Sequence, residues 1–421
     1  MKKISFCFLL LTYPALSQTA APLSIEQAIQ EAIKNNLDLA AERFNLSVAE
    51  ARQITAALRP NPVLTLQGAT LDLLGAGFNP ASPAGPNQLN VHTDFVLERG
   101  HKRAERIAFA SEDRRLAELQ IRELARRLIL DVQSAFVDVQ QARAGVTLAE
   151  SNLRSLRGIV EVNENRVRAG DLAQVELDRS RVASLQYETA VEQAKLQVEQ
   201  TKTRLQRLIG RAATMADFDV TEEIRREPRT DAPEAILKRA VERRPDLATL
   251  QQAQARSRAD LRLQLANGKV DYVIGSEYSY QRAYGMGGSS VGVSFSMPLP
   301  VFNKNQGEIA RAQREGRQQE ARSAALQASI STEVELAYRQ YQTSERMLKN
   351  IETALLSRAK TVRDVTEYSY RRGEATLVEF LDAQRAFNDS VQSYNEARAG
   401  FARSLYLIDA VSGDSIAAAG Q

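Results

Sequence analysis

The sequence predicts a mainly α-helical, internally duplicated protein with a small β part. Three observations point to this fold class. Residues 103–167 carry apolar side chains at a 3.5-residue period, motifs of the first half return about 200 residues later, and each half contains two strand-like runs about ten residues long. The composition agrees, because 25% of the residues are charged, 6% are aromatic and tryptophan is absent, as in proteins built from long helices.

The segment 1–17 has the pattern of a secretory signal peptide. Two lysines precede the apolar run Ile4–Leu11, and a proline and small residues follow it. That run is far too short to span a membrane. The single cysteine, Cys7, lies inside this segment. We therefore expect an exported mature chain with no disulfide and no lipid-acceptor cysteine.

The strand-like runs lie near 63–73 and 89–97 in the first half, and near 270–280 and 290–299 in the second. In the last three runs apolar and polar residues alternate, so each strand would have one apolar and one polar face. The first run is the weakest, because its alternation blurs after Leu66. These lengths and faces are typical of strands in a membrane barrel, with the half-buried sheet of a soluble domain as the alternative.

After the second strand, residues 103–167 predict one long helix. Its hydrophobic seam must follow a left-handed supercoil to keep facing a partner. The turn near 168–171 and a second seam from Leu177 to Leu208 predict an antiparallel helical hairpin. The seam of the long helix consists of Leu124, Leu128, Val132, Ala135, Val139, Ala142, Val146, Ala149, Leu153, Leu156, Val160, Asn163 and Val167.

A second hairpin is predicted from the same period in the second half. Its first seam covers 330–355 and continues to Val362 and Val365. The turn lies near 371–374, and the return helix has a seam over 380–401. We expect both hairpins to pack in the same way.

Two pairs of motifs relate the halves. The sequence "RVRAGDLAQVELDRSR" from Arg166 matches "SYRRGEATLVEFLDAQR" around Gly373, and the segments that begin at Asn35 and Arg243 resemble each other. A period of about 200 residues is too long for a solenoid, so we interpret it as a duplicated half-molecule. The predicted organisation is a signal peptide at 1–17, a first repeat at 18–230, a second repeat at 231–411 and a C-terminal tail at 412–421.

Four strands cannot close a barrel by themselves. An open sheet in lipid would leave unpaired backbone groups at its edges, so closure must come from several chains. Two chains would give a barrel of about eight strands, which side chains fill, whereas three would give about twelve strands and a lumen.

These features resemble the TolC family of outer membrane efflux proteins. The resemblance covers essentially the whole mature chain. It rests on the opening "LSIEQAIQEAIKNN", on "ALRPNPVLTL" before the first strand, on "PLPVFNKNQGEIARA" after the fourth, and on the two tip motifs. The stretches "LRPNP" and "LERGHKR" are closer to the heavy-metal and cation branch than to the drug or protein-secretion branches.

The resemblance implies a homotrimeric channel-tunnel in the cell outer membrane. Each chain would give four strands to a barrel of about twelve and its long helices to a periplasmic α-barrel. The channel would pass metal cations or small toxic compounds to the exterior. Its partners would be outer membrane lipid, a periplasmic adaptor (membrane fusion) protein and an inner-membrane resistance-nodulation-division pump.

The resemblance also implies a periplasmic gate near the two turns. In the family, acidic residues six and nine positions after the tip glycine surround the entrance, and a tyrosine three positions before it helps to keep the entrance shut. The first turn departs from this pattern, with Arg179 in place of the second acid and Val167 in place of the tyrosine. Arg179 would then pair with an acid of the neighbouring hairpin. The matching gate positions are Glu176, Tyr370, Glu379 and Asp382.

The two turns would also form the surface on which the adaptor docks. For the gate and for this surface, charged side chains that merely face solvent are the alternative interpretation. The docking positions implied by the resemblance are Arg168, Gly170, Leu172, Arg372, Gly373 and Leu377.

The sequence predicts transport and no enzyme activity. The net charge of +3 is nearly balanced, which gives no reason to expect a nucleic acid partner. The only histidines, His92 and His101, lie in no pattern with metal-ligand spacing, so we expect neither a resident metal nor a cofactor. Two alternatives stay open: a conduit of the same fold for type I protein secretion, and a periplasmic coiled-coil protein without a transport function.

Overall fold

The computed structural model describes residues 22–69, 87–212, 218–283 and 286–415. The predicted signal peptide lies outside these residues. The elements come in the same order twice. The first series is α1 (Ile25–Asn35), α2 (Leu37–Ala57), β1 (Val63–Ala69), β2 (Asn87–Leu97), α3 (Lys102–Ala169) and α4 (Gln174–Ile209). The second is α5 (Pro233–Arg243), α6 (Pro245–Asn267), β3 (Tyr272–Ala283), β4 (Met286–Ser296), α7 (Gln306–Asn350), a π-helical turn (Ile351–Leu355), α8 (Leu356–Arg372) and α9 (Leu377–Ser412).

The predicted fold class, mainly helical with one small sheet, is confirmed. The strand ends differ from the prediction. Strand β1 is described as far as Ala69, and the rest of the predicted run, 70–73, lies outside the described residues. Strand β4 ends at Ser296 because Pro298, which has no N–H to donate, cannot continue a ladder of backbone hydrogen bonds.

The chain divides into two compact units. The hairpin unit comprises the described residues within 1–34, 131–227 and 344–403. The sheet unit comprises those within 35–130, 228–343 and 404–421.

The sheet unit contains one antiparallel sheet with strand order β1-β2-β3-β4. Directly opposite residues point to the same face, so the register places apolar and polar rows on opposite faces. Within the described residues, β1 and β4 each pair on one side only, which leaves two open edges. One apolar row is Leu66, Val91, Tyr278 and Val291, and one polar row is Thr65, His92, Glu277 and Gly292.

In the hairpin unit, the predicted seams of α3 and α4 are confirmed. Every seam residue of α3 from 131 onward and every one of α4 is buried or half-buried. Val139 and Asn163 are fully enclosed. The 3.5-residue period therefore identifies the packed face of this hairpin correctly.

The seam predicted for the second hairpin is wrong beyond Ile351. Leu355, Val362 and Val365 were expected inside, yet they are 44%, 56% and 59% exposed. The cause is the π-helical turn, which inserts one extra residue and rotates all that follows. The inward-facing positions move one residue along the chain, to the half-buried Leu356, Ala359, Arg363 and Thr366 and the buried Tyr370.

Candidate functional site

The two hairpins end in the same glycine turn. Gly170 follows α3 with φ of +83°, and Gly373 follows α8 with φ of +81°. A side chain at either position would strain the backbone, because L-residues rarely adopt this left-handed region. Each glycine N–H donates to the carbonyl three residues back, and the next N–H donates to the carbonyl five residues back, which is the Schellman motif. The four bonds are Gly170 to Val167 (3.0 Å), Asp171 to Arg166 (2.8 Å), Gly373 to Tyr370 (2.9 Å) and Glu374 to Ser369 (2.9 Å).

A small apolar core holds the two turns together. It draws side chains from all four helices that meet the turns, so the two hairpins are fixed to each other near their ends. Arg166 of the first hairpin also lies close to Gly373 of the second. The members of this tip core are Leu156, Ile159, Ala183, Tyr370, Leu377 and Phe380.

Tyr370 contributes both its ring and its hydroxyl to this contact. The ring stacks on Phe380 with 5.7 Å between centroids. The hydroxyl donates a 2.8 Å hydrogen bond to Oδ1 of Asn163 on α3. Burial raises the pKa of the Tyr370 hydroxyl, which therefore stays a neutral donor. Because Nδ2 of the enclosed Asn163 has no partner, this bond is the amide's only side-chain hydrogen bond among the described residues.

Glu379 closes a capping box at the start of α9. Its Oε2 accepts from the backbone N–H of Thr376 at 2.7 Å and from the Thr376 hydroxyl at 2.9 Å. In return, the Thr376 hydroxyl oxygen accepts from the Glu379 N–H at 3.3 Å. The backbone N–H and then the hydroxyl of Thr376 lower the pKa of the Glu379 carboxyl. This predicted gate acid therefore also stabilises the helix start.

Glu176 has the corresponding position in α4 but different partners. Ala173 precedes the helix and offers no capping side chain. Instead, Nη1 of Arg179 lies 2.7 Å from Oε1 of Glu176 on the same helix. The sequence predicted that Arg179 would pair with an acid of the neighbouring hairpin. That expectation is wrong in this chain, because the nearer carboxylate is one helical turn away on α4 itself.

Asp382 faces solvent, with Arg385 of the same helix as its ion-pair partner. The two groups are 3.9 Å apart and about as exposed as each other. A pair of this kind contributes little to stability, so the Asp382 carboxylate is available to other cations.

The predicted docking residues divide into exposed and buried groups. Arg168 is exposed and donates to Oδ1 of Asn165 at 2.7 Å. The Arg372 guanidinium lies 4.8 Å from the centre of the Tyr368 ring, and Leu172 is half-buried. Leu377 was predicted to face a partner, but it is only 5% exposed and packs in the tip core. Its side chain does not belong to the docking surface.

A polar network, buried at Asn152 and Gln384 and half-buried at Asn388 and Tyr187, lies behind the tip core and was not predicted from the sequence. Nε2 of Gln384 donates to Oδ1 of Asn152 at 3.0 Å and to Oδ1 of Asn388 at 2.9 Å. Nδ2 of Asn388 donates to the Tyr187 hydroxyl at 3.2 Å, and burial raises the pKa of that hydroxyl. Buried polar side chains between helices fix their register, so this network aligns the two hairpins. The sequence feature that could have predicted this network is the presence of amide side chains at positions 152, 384 and 388.

Asn152, Tyr187 and Asn388 of this network also line a groove of about 740 Å³ in the hairpin unit. Small residues of α3 and α4 form part of its floor and leave room for the polar side chains. They are Ala142, Gly145, Ala149, Ala190 and Ala194.

Neither a metal-ligand cluster nor a membrane-spanning helix occurs among the described residues. No three His, Cys, Asp or Glu side chains come together there in a group that would hold a metal ion. In the same part of the chain, every helix is too short or too polar to cross a membrane.

Comparisons with known proteins give one consistent result. The family model described as "Outer membrane efflux protein" matches residues 28–211 and 236–413. Cobalt-zinc-cadmium resistance protein CzcC of Cupriavidus metallidurans is 23% identical over 373 residues, which cover 87% of this chain and 84% of CzcC. Nodulation protein T of Rhizobium leguminosarum bv. trifolii is 24% identical over 403 residues, covering 90% and 83%. The CmeC outer membrane channel of Campylobacter jejuni matches with a TM-score of 0.75 at 14% identity, covering 93% and 86%, which shows a shared fold.

Proposed function

The chain belongs to the outer membrane efflux protein family, and from that premise we propose that it is the homotrimeric channel of a tripartite system that exports divalent metal cations. The observation that carries the proposal is the four-stranded sheet, which has one apolar face, one polar face and two open edges. In lipid, each unpaired backbone group at such an edge costs several kcal/mol, so chains must join until the sheet closes.

The sheet favours ring closure by copies of the same chain. The open edges belong to β1 and β4, two different surfaces, so one chain's β4 pairs with the next chain's β1 in a head-to-tail ring. Three chains give a barrel of about twelve strands with an open lumen, whereas two would give an interior filled by side chains. The polar rows then line the lumen, and the apolar rows face lipid.

The helices support the same assembly. Helix α4 has a second apolar stripe that stays exposed in the single chain, and the stretch from the last residue of the π-helical turn into α8 has another. Both repeat at heptad-like intervals, as interhelical seams do. In a ring, the stripe of one chain packs on that of the next. The stripe of α4 is Val175, Val182, Leu185 and Leu196, and the other is Leu355, Val362 and Val365.

The tips supply a gate that favours cations. In a trimer, three copies each of Glu176, Glu379 and Asp382 approach one axis, and rings of carboxylates select cations over anions. The bond between Tyr370 and Asn163 holds the two hairpins of a chain together behind these acids. Opening the entrance requires the hairpins to separate, which breaks this bond.

The outer ends of the turns form the docking surface for a periplasmic adaptor and, through it, a resistance-nodulation-division pump. The exposed or half-buried residues Arg168, Leu172 and Arg372 provide its side chains, and Gly170 and Gly373 give it its shape. Metal cargo is supported by the similarity to CzcC, a cobalt-zinc-cadmium resistance protein. The role proposed for the chain is passive conduction, without catalysis.

Two measurements test the proposal. Chemical cross-linking of the detergent-solubilised outer membrane fraction should yield trimers; only monomers, or recovery in the soluble periplasmic fraction, would contradict the assembly. Expression in a strain that lacks its own metal-efflux channel, with the cognate adaptor and pump, should restore growth on zinc, cobalt or cadmium. Restored export of a polypeptide, with unchanged metal tolerance, would favour protein secretion instead.

A further inference from the structure

The apolar face of β4 continues past the end of the strand. The odd-numbered residues of β4 are exposed and apolar from Val291 to Phe295, and exposed apolar residues continue beyond Ser296. Phe302 then follows and is 91% exposed, the highest value among the large hydrophobic side chains of the described residues. The exposed apolar residues after the strand are Met297, Leu299, Val301 and Phe302.

The backbone of this segment is held in place. The Val301 N–H donates to the Leu299 carbonyl at 2.8 Å, which makes a tight turn at Pro300. Nδ2 of Asn305 donates to the Gln264 carbonyl at 2.8 Å, which ties the segment to α6. The exposed side chains are therefore presented by a hydrogen-bonded turn.

One exposed cation stands at each of the four junctions between the strands and their neighbouring helices. Arg59 precedes β1, Arg99 follows β2, Lys269 precedes β3 and Lys304 follows β4. In an antiparallel sheet these four junctions lie at the same end. The Arg99 guanidinium also lies 4.4 Å from the centre of the Tyr272 ring, which belongs to the apolar face.

These four cations have no ion-pair partner among the described carboxylates. Two acids near the same end are already paired, Asp271 with Lys102 at 2.7 Å and Glu98 with Arg106. We call the four cations, together with Leu299, Val301 and Phe302, the junction belt. It combines exposed apolar side chains with an uncompensated positive charge.

We propose that the junction belt binds anionic phospholipid of the membrane leaflet that faces the periplasm. The apolar side chains enter the outer part of the acyl region, and the cations hold the headgroup phosphates. Aromatic and basic side chains at the ends of membrane-spanning segments serve this purpose generally. The inference rests on the proposed function, because it needs the apolar face of the sheet to lie in lipid.

A neighbouring copy of the chain is the competing occupant of the belt. Lipid is favoured because the belt is continuous with the apolar face of the sheet and because its charge complements phosphate. The core of a protein–protein interface is instead depleted in charged residues, and lysine is among them.

Tryptophan fluorescence tests the apolar half of the belt. The chain has no tryptophan, so Phe302→Trp introduces a single reporter into the full-length protein. In liposomes of acyl-brominated phosphatidylcholine and phosphatidylglycerol, its emission should be quenched at least twofold. Phe295→Trp, on the apolar face of β4, is the positive control, and Tyr368→Trp, on exposed α8, is the negative control.

The outcomes separate the belt from the proposed function. Quenching in the Phe295→Trp variant without quenching in the Phe302→Trp variant would overturn the belt and leave the membrane sheet intact. If neither variant is quenched, the sheet does not lie in lipid, and both proposals fail.

The preference of the junction belt for anionic over zwitterionic headgroups tests the role of its four cations. In the Phe302→Trp variant, bromine carried by phosphatidylglycerol alone should quench the reporter more than bromine carried by phosphatidylcholine alone. We expect a ratio of about fivefold, because one cation near the membrane surface favours anionic lipid by about that factor. In the same background, combining Arg59→Gln, Arg99→Gln, Lys269→Gln and Lys304→Gln should remove the preference. The matched control removes four exposed cations of the hairpin unit, Arg154→Gln, Arg157→Gln, Arg181→Gln and Lys195→Gln, and should keep it. A preference that survives loss of the belt cations would show that they do not bind headgroups.

Discussion

The two hairpin tips share one turn but start their return helices in different ways. In the second tip, Thr376 and Glu379 cap α9 with reciprocal hydrogen bonds. In the first, Ala173 offers no cap, and Glu176 pairs with Arg179 instead. Glu176 and Glu379, six residues after their glycines, therefore bind different groups: Glu379 caps its helix, whereas Glu176 forms an ion pair. Duplication has preserved the backbone turn, whose geometry requires glycine, while the side chains around it have diverged.

The helices that lead into the tips differ as well. Helix α3 continues without interruption to Ala169, whereas its counterpart in the second half contains a π-helical turn at Ile351–Leu355. The extra residue rotates the end of that helix, so that Tyr370 packs in the tip core. A local insertion in the helix thus decides which side chain reaches the neighbouring hairpin.

The largest effect on stability is expected from a substitution in the uninterrupted seam of the first hairpin. Val139→Asp places a carboxylate at a fully enclosed position and should destabilise the protein by about 3–5 kcal/mol. Val362→Asp, at a position exposed in the single chain, should leave the melting of the helices within each chain nearly unchanged and reduce only trimer yield. Circular dichroism melting and cross-linking measure the two effects. Equal melting of both variants would contradict the seam shift at the π-helical turn.

The second effect concerns the contact that only the second tip makes. Tyr370→Phe keeps the ring on Phe380 but leaves the enclosed Asn163 without its hydrogen bond, at a cost of about 1–3 kcal/mol. The entrance should open more often, which is measured as higher conductance in planar bilayers. Tyr368→Phe removes a hydroxyl from an exposed ring of the same helix and should change neither stability nor conductance. Equal conductance of both variants would show that Tyr370 does not hold the entrance shut.

The third effect exchanges the helix caps. Thr376→Ala should cost about 1 kcal/mol, and Ala173→Thr, which creates a capping box with Glu176, should stabilise α4 by about 0.5–1 kcal/mol. Thermal melting of the two variants measures both changes. If Ala173→Thr does not raise the melting temperature, the ion pair with Arg179 prevents Glu176 from bonding to the N-terminus of α4.

The cap of the second tip should also depend on pH. Because Thr376 lowers the pKa of the Glu379 carboxyl, this contribution is full above the usual carboxyl pKa of about 4.3 and is lost as the pH falls through the lowered value. The melting difference between Glu379→Gln and the unchanged protein should therefore shrink in acid. A difference that stays constant down to about pH 3 would show that the charge of Glu379 does not strengthen the cap.

The smallest effect concerns the acids themselves. Glu379→Gln keeps a capping side chain and Asp382→Asn keeps its shape, so the double variant removes charge from the entrance with little change in structure. Block by divalent cations from the periplasmic side should weaken about two- to fivefold, as expected for charges in largely aqueous surroundings. Glu396→Gln, exposed on the same helix away from the turn, is the control. Unchanged block in the double variant would favour acids that merely face solvent.

The sequence by itself determined the parts of this protein that depend on local periodicity. The alternation in β2, β3 and β4 predicts which residues share a face, because strand side chains must alternate. The 3.5-residue period predicts the packed face of α3 and α4, and the glycines at 170 and 373 predict the turns, because few other residues adopt a positive φ.

The tertiary structure decided everything that depends on a partner distant in the chain. The sequence contains Asn163 and Tyr370, but only packing of the two hairpins brings them within hydrogen-bond distance. It places Leu377 beside a turn, yet the tip core encloses that side chain. The π-helical turn is not predicted by the pattern either, because heptad periodicity counts residues evenly and one inserted residue shifts every later contact. Periodicity says which face of a helix is buried, whereas the residue that reaches a given partner is set by the packing of the whole unit.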